Sequence, residues 1–172
     1  MLAPGRGRAA IVVPQSILNN PSLDYVRKWL LAHTQILAVV ELPVETFLMS
    51  GREGTGTLTA ILVVKRREVG DTLAILEGKS VEPYPIYMSI AHYVGYDRRG
   101  KTAFRREKDG TEITTEVPMC DPNSGEVIRV GRERIVANDL PAIAEDYLQF
   151  RDRLARGEVY FDSSRGMYRV VG

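Results

Sequence analysis

The sequence contains few of the residues from which disulfides and metal centres are built. Among its 172 residues there is one cysteine, Cys120, and there are two histidines, His33 and His92. One cysteine cannot form an internal disulfide, and this set argues against a structural zinc site. We therefore expect no metal ligands in this chain and a reducing, cytoplasmic location.

Long apolar runs are also absent, and neither sign of charge dominates. No run approaches the roughly 20 residues that a membrane-spanning helix needs, and the N-terminus lacks the layout of a signal peptide, so we expect no membrane partner. The net charge is +1, which neither favours nor excludes a nucleic-acid partner. With 44% hydrophobic residues, the chain is long enough to bury one core.

The first third of the chain has the pattern of an α/β sheet. The run "RAAIVVP", which Pro14 closes, predicts a strand that is central in a sheet and buried on both faces. A helix capped by Ser22 would follow and end near His33. Residues 36–43 predict a second buried strand, so that strand, helix and strand form one crossover unit, and residues 57–67 predict a third strand.

The glycines of this region stand in the wrong order for a nucleotide site. Dinucleotide and methyl-donor sites place glycines after a strand, where a turn and a helix N-terminus present their amides. Gly5 and Gly7 instead precede the first strand, which favours a tight turn, and the loop "GREGTGT" leads into a strand, which favours a flexible connection. Glu41 lies at the end of the second strand and Glu45 in the loop that follows, where solvated or capping roles are favoured over catalysis.

The remainder of the single predicted domain is more polar. Residues 1–67 would form the sheet core, residues 68–135 a polar insert with a basic loop, and residues 136–172 a C-terminal helix and tail. In the insert, "YPIYMSIA" predicts a short strand, or a strand that runs into a helix, and "TEITTEV" and "GEVIRV" predict a hairpin.

The C-terminal part predicts an amphipathic helix and a hairpin. Asn138 or Asp139 would cap the helix, Gly157 would end it, and the tail would form a hairpin around "SSRG". The predicted apolar face of the helix consists of Leu140, Ile143, Ala144, Tyr147, Leu148 and Leu154.

Basic residues are concentrated in one stretch of the insert, together with Tyr96 and Phe104. Six of them within eleven residues can neutralise phosphates while the aromatic rings offer stacking surfaces, and such binding weakens as salt rises. A solvated loop without a ligand is an equally weighted interpretation. The six candidate residues are Arg98, Arg99, Lys101, Arg105, Arg106 and Lys108.

Four stretches together resemble one known family. They are "LAPGRGRAAIVVPQSIL", "LDYVRKWLLAHTQILAVVELPVETF", "GTGTLTAILVVKR" and "IAHYVGYDRRGK", and they resemble the later half of the adenine-specific DNA methylase domain in modification subunits of type I restriction systems. The resemblance covers residues 2 to about 155. That family transfers a methyl group from S-adenosylmethionine to the exocyclic amine of adenine.

The resemblance implies a fold and one candidate contact. The fold is α/β, the C-terminal half of a Rossmann-like methyltransferase sheet, with a C-terminal amphipathic helix and small hairpins. It is a mixed sheet in which the third strand lies antiparallel between the first two. Phe47, in the loop that faces the target base in this family, is the candidate aromatic contact, and Leu58 stands where the family commonly has a lysine.

Two motifs of the family have no counterpart in this sequence. These are the donor-binding strand with its Gly-rich turn and the catalytic loop, which reads Asn or Asp, Pro, Pro, then Tyr or Phe. That loop accepts hydrogen bonds from the adenine amine and stacks a ring on the flipped-out base. The resemblance therefore assigns no catalytic or cofactor-binding residue, and we expect neither methyl transfer nor S-adenosylmethionine binding from this chain alone.

The resemblance also implies partners. The first strand would normally pair with a preceding strand of the sheet, and an open apolar edge invites pairing with another chain. We therefore expect DNA as a ligand and an obligatory protein partner. This partner is a methylase N-terminal half, another restriction-modification subunit, or a second copy in a homodimer.

Three interpretations follow, and each predicts a different behaviour. A split or truncated methylase would bind the methyl donor. A non-enzymatic DNA-binding or subunit-interaction module would bind DNA in a salt-dependent way without binding the donor. A decayed gene fragment would aggregate or stay unfolded without a partner.

Overall fold

The main sheet has four strands in the order β1-β3-β2-β4. The computed structural model describes residues 2–48, 56–162, 164–165 and 167–170. The strands of the sheet are β1 (Arg8–Pro14), β2 (Thr34–Leu42), β3 (Thr59–Arg66) and β4 (Tyr87–Ile90).

The directions of the strands make this a mixed sheet. β3 runs antiparallel to β1, with Ile11 opposite Leu62, and antiparallel to β2, with Val39 opposite the same Leu62. β1 and β2 are therefore parallel to each other, and β4 extends the sheet parallel to β2. The order and directions predicted for the first three strands are confirmed, as is the short strand predicted after residue 84.

A tight turn leads into β1, as the glycines predicted. Gly5 has φ +66°, and the amide of Gly7 donates to the carbonyl of Ala3 at 2.7 Å. A Cβ on Gly7 would lie 2.6 Å from the backbone nitrogen of Ala3, so no larger residue fits the turn as it stands. These glycines shape the chain before the strand.

Two short helices and one turn connect β1 to β2. They are α1 (Ser16–Asn19), a 3₁₀ turn (Pro21–Leu23) and α2 (Asp24–His33). The prediction that Ser22 caps the helix was wrong, because Ser22 is itself capped: the Asn20 Oδ1 accepts from the Ser22 amide at 2.9 Å and from its hydroxyl at 2.8 Å. Asn20 thus caps the 3₁₀ turn, because its amide oxygen reaches a donor two residues ahead, and α2 itself begins after Leu23 without a side-chain cap.

The main core lies between these helices and one face of the sheet. Ile36, Leu62 and Val64 form its buried centre, and Leu18 of α1 and Leu30 of α2 pack against them. Near the opposite edge, the Tyr87 ring of β4 lies 5.5 Å from the ring of Tyr147 and 5.7 Å from that of Phe150, measured between centroids. Both of these partners belong to a helix, α4 (Leu140–Ala155).

β1 is an edge strand, so the prediction of a central strand buried on both faces was wrong for this chain. Ile11 and Val12 are 46% and 47% exposed. Only β3 pairs with β1 among the described residues. The apolar composition of a strand indicates that it is suited to a buried position. It does not show whether a neighbouring strand is present to bury it.

The polar insert begins with a helix that we did not predict, α3 (Val69–Leu76), which packs against α2. Its apolar residues Val69, Leu73 and Leu76 recur at helical spacing but remain 56%, 54% and 62% exposed. The helical spacing of apolar residues was therefore present in the sequence, but the segment is short and its surroundings are polar, so the helix was not predicted.

The basic stretch is folded into paired segments, in contrast to the exposed loop that its composition suggested. Single β-bridges join Tyr96 to Thr102, Phe104 to Val136, and Arg106 to Glu112. The predicted hairpin that follows is confirmed as β5 (Thr114–Cys120) and β6 (Val127–Arg134).

α4 and a hairpin complete the chain, as predicted. The Asn138 Oδ1 accepts from the Leu140 amide at 3.0 Å, and Gly157, with φ +72°, follows the end of the helix. The tail pairs β7 (Val159–Asp162) with β8 (Met167–Val170).

The predicted apolar face of α4 is only partly correct, because the helix packs over a narrow strip beside β4. Leu140, Ile143 and Tyr147 are half-buried, but Ala144, Leu148 and Leu154 are exposed. Phe150 contributes to the packed side instead. No described helix is long and apolar enough to span a membrane.

Candidate nucleic-acid interface

The loops that follow β2 and β4 lie at the same edge of the sheet. Because these strands are parallel, their carboxyl ends point the same way, and ligand sites of α/β sheets form at such edges. The 3₁₀ turn Val44–Phe47 follows β2, and residues 91–97 follow β4. A cleft of about 250 Å³ lies between them and is lined by Glu45, His92 and Tyr96, among others.

Two segments that are distant in the sequence, "ILAVVELPVETF" and "GYDRRGK", meet at this cleft. The Tyr96 hydroxyl donates to the carbonyl of Thr46 at 2.9 Å, and the Arg98 Nε donates to Glu45 Oε1 at 2.8 Å. The hydrogen bond from Arg98 and one from the backbone amide of Glu45 hold the pKa of the Glu45 carboxyl below its usual value. Segments about 50 residues apart in the chain therefore form one surface.

A tight turn beside the cleft presents two cations to solvent. The Asp97 Oδ1 accepts from the Lys101 amide at 2.9 Å and from the Arg99 amide at 2.8 Å, and these bonds lower the pKa of Asp97. Gly100 has φ +73°, a conformation that glycine adopts without a steric cost. Arg99 and Lys101 are both exposed at the tip of this turn.

A second turn of the same construction follows after a few residues. The Asp109 Oδ1 accepts from the Thr111 amide at 2.9 Å, Gly110 has φ +90°, and the Glu107 amide donates to the carbonyl of Thr111 at 2.8 Å. Lys108 is exposed on this turn. The chain thus exposes Arg99 and Lys101 on one hairpin tip and Lys108, between Glu107 and Asp109, on the other.

The other three predicted cations have carboxylate partners. Arg98 pairs with Glu45 at 2.8 Å, Arg105 with Asp139 at 2.9 Å, and Arg106 with Glu112 at 3.2 Å. Glu112 also accepts from Arg134, whose guanidinium carbon lies 3.9 Å from the centroid of the Phe104 ring. Arg99, Lys101 and Lys108 have no carboxylate within salt-bridge distance in the described part of the chain, and they form the most available positive charge of the cluster.

Asp139 holds the segment after β4 in place. Its Oδ2 accepts from the amides of His92 at 2.9 Å and Tyr93 at 3.0 Å, and its Oδ1 accepts from Arg105. Partial burial opposes ionisation of this carboxyl, but the two amides and the Arg105 guanidinium outweigh it, so the pKa of Asp139 lies below its usual value. A residue that the sequence suggested only as a helix cap is therefore the anchor of this edge.

Phe47 lies at the end of the turn that carries Glu45 and Thr46, and it is half-buried there. Most of the glycine-containing loop that follows, with Gly51 and Gly54, lies outside the described residues. The structure thus places Phe47 at the same edge of the sheet as the basic turns.

His92, Tyr93 and Asp139 were missing from the predicted site. Tyr93 is 53% exposed directly after β4, and His92 lines the cleft beside it. A polar or aromatic residue in the loop after a strand is a usable signal for such positions. Asp139 binds the amides of His92 and Tyr93, which precede it in the sequence by 47 and 46 positions. No spacing pattern in the sequence indicates these contacts.

Within the described ranges, no group of three or more His, Cys, Asp or Glu side chains is arranged to hold a metal ion. The cleft instead contains the rings of Tyr93 and Tyr96 and the Arg98 guanidinium, beside the carboxylates of Glu45 and Asp97.

No protein-family model matches the chain. No curated protein matches it significantly. The family resemblance therefore depends on the sequence motifs themselves.

Proposed function

We propose that this chain is the later part of an adenine-specific DNA methylase domain of the type I restriction-modification kind. In this proposal it supplies a DNA-facing edge and part of the sheet, and a partner polypeptide supplies the S-adenosylmethionine site and the catalytic Asn-Pro-Pro-aromatic loop. The chain would be inactive by itself.

The observation that carries the proposal is the strand arrangement. An antiparallel β3 lies between the parallel strands β1 and β2, which helices connect. This arrangement agrees with the one that the sequence resemblance implied. A mixed order of this kind is more restrictive than a general α/β pattern, because most sequential strands in α/β folds are parallel neighbours.

The contacts at the carboxyl edge of the sheet support the same proposal. Tyr96 and Arg98 of "GYDRRGK" bind to Thr46 and Glu45 of "ELPVETF", which holds the two segments against each other. The adjacent turn exposes Arg99 and Lys101, whose charges suit DNA phosphates.

The free edge of β1 supports the need for a partner. Ile11 and Val12 keep nearly half of their surface exposed, and such apolar edges pair readily with a further strand. A preceding strand from the other part of a methylase would extend the sheet here and cover these residues.

The second candidate is a module that binds DNA or a methylase partner without chemistry. It is favoured by the combination of exposed cations at the tips of the two turns with a sequence that contains neither the donor-binding turn nor the catalytic loop. Salt-dependent DNA binding without binding of S-adenosylmethionine, even in the presence of a partner, is the result that selects it.

The first experiment is to sequence the DNA immediately upstream of the Met1 codon and to read all three frames. The methylase proposal expects an open frame that encodes a strand with a Gly-rich turn and an Asn-Pro-Pro-aromatic loop. Co-expression of that product with this chain should then restore transfer of labelled methyl groups from S-adenosylmethionine to adenine in DNA. If no such frame is present, the enzymatic proposal is wrong for this product.

A matched pair of variants tests the role of β1 in the co-expressed assembly. Val12→Lys places a charge on the free edge strand and should abolish assembly and methyl transfer. Leu148→Lys changes a residue of α4 that is 58% exposed, and it should leave both unchanged. Circular dichroism of each variant alone checks that the chain still folds.

A further inference from the structure

Tyr93 combines an exposed ring with a fixed backbone. Its side chain is 53% exposed, although its amide donates to Asp139 Oδ2 at 3.0 Å and its carbonyl accepts from the Asp139 amide at 3.0 Å. Neighbouring Val94 is buried and bridges to Asn138. The main chain thus holds the ring out from the surface at a defined position.

Tyr93 also lies at two clefts. The first, of about 250 Å³, is lined by Arg98 and His92, and the second, of about 290 Å³, by Arg105 and Arg106. Tyr93 lines both of them. One aromatic residue therefore lines two recesses, the first with one guanidinium beside the carboxylates of Glu45 and Asp97, the second with two guanidinium groups.

The guanidinium groups retain donors for a further acceptor. The described hydrogen bond of Arg98 uses Nε, and those of Arg105 use one terminal nitrogen. Each guanidinium has five N–H donors. The carboxylate partners fix the positions of the two guanidinium groups but leave some of these donors free. A phosphate oxygen on either side of Tyr93 would meet a preoriented donor.

We propose that Tyr93 is a stacking residue for an unpaired nucleotide base, with Arg98 and Arg105 contacting the phosphates on its two sides. Aromatic rings beside positive charge are how proteins bind nucleic acids whose bases are not paired, because each base has a face that stacks. The inference rests on the DNA-binding part of the proposed function and specifies its ligand, which is an unpaired nucleotide rather than a regular duplex.

The test measures binding of a short fluorescein-labelled single-stranded DNA by anisotropy at fixed low salt. Tyr93→Ala should weaken binding roughly tenfold, in the range observed for loss of one base-stacking ring. Tyr93→Phe, which keeps the ring, should stay within about twofold of the wild type. Tyr160→Ala is the matched control, since Tyr160 is a similarly exposed tyrosine (46%) on β7, and it should have no effect.

Two further arms identify the source of the base. The same sequence as a duplex should depend less on Tyr93, because its bases are already stacked. Adenosine monophosphate should compete with the oligonucleotide only weakly, because it offers one phosphate rather than two. If it competes as well as the oligonucleotide and depends on Tyr93, the stacking role stands and a free nucleotide is the ligand.

Equal binding by the wild type and Tyr93→Ala would overturn the inference, as would an equal loss in Tyr93→Ala and Tyr93→Phe. Absence of single-stranded binding by the wild-type chain would overturn it as well. The methylase proposal is decided separately, by methyl transfer in the co-expressed assembly, so either idea can fail while the other stands.

Discussion

Removal of the Asp139 carboxylate should loosen the whole edge that carries the candidate site. Asp139→Ala deletes the acceptor of the His92 and Tyr93 amides, at 2.9 and 3.0 Å, and the partner of Arg105. Hydrogen bonds to charged groups contribute roughly 1.5–3 kcal/mol each, and these donors are water-accessible, so we assign about 1 kcal/mol to each amide bond. The free energy of unfolding should fall by about 2 kcal/mol, which for a chain of this size lowers Tm by about 4–8 °C.

Thermal unfolding followed by circular dichroism measures this loss, with two companion variants. Asp139→Asn keeps an oxygen for the amides but loses the charge, so it should cost about half as much. Asp24→Ala removes an exposed carboxylate that pairs with Lys28 on α2, and it should change Tm little. A Tm for Asp139→Ala within about 1 °C of the wild type would refute the assignment of an anchoring role to this residue.

The stabilisation by the Asp139 carboxylate depends on pH with a defined sign. The pKa of Asp139 in the folded chain lies below its ordinary value of 3.8, so the folded state binds the proton less tightly than the unfolded state does. The stabilisation is therefore complete above the unfolded pKa and is lost as pH falls through the folded pKa. The stability difference between the wild type and Asp139→Asn should be constant near neutral pH and shrink below about pH 4.

Three further predictions follow from contacts described in the structure. Arg67 is 5% exposed and donates through Nε to the Leu31 carbonyl near the end of α2 at 2.9 Å. Arg67→Met removes the partner of that carbonyl and of the helix dipole, so it should lower the free energy of unfolding by about 2 kcal/mol, measured by guanidinium titration. Glu45→Gln should change the free energy of unfolding by less than about 1 kcal/mol, since the pair of Glu45 with Arg98 is near the surface. The same variant should tighten DNA binding in the anisotropy assay because it removes a negative charge, and unchanged or weaker binding would contradict this. Replacing Arg99 and Lys101 together by alanine should reduce the slope of log K against log salt by about 2 for duplex DNA, and an unchanged slope would exclude phosphate contacts by these residues.

The strands of the fold were predictable from the sequence because their signals are local. The apolar run of β1 ends at Pro14, that of β2 ends before Pro43, and both strands appeared where predicted. The position of β3 between them came from the family resemblance, since local pattern carries no information on strand order. The exposure of Ile11 and Val12 could not be predicted from composition, because burial depends on whether a neighbouring strand is present.

The candidate site was predictable only in its residue types. The basic stretch was found by counting charges, but the count could not distinguish Arg99, at an open turn, from Arg105, whose partner Asp139 lies 34 residues away. Tyr93 was overlooked because a single tyrosine after a short strand resembles a core residue in sequence. Only the tertiary contacts with Glu45, Asp139 and Glu112 separate the anchored cations from the available ones.

The place of β3 in the sheet has a consequence for synthesis on the ribosome. β1 and β2 emerge first, yet neither pairs with the other, because each is hydrogen-bonded to β3, whose residues Thr59–Arg66 are translated later. Until then the nascent chain carries two apolar strands without a native partner, and long-range pairing of this kind is slow and exposed to misassociation. Chaperone capture of translation intermediates should therefore decline sharply once β3 has left the exit tunnel.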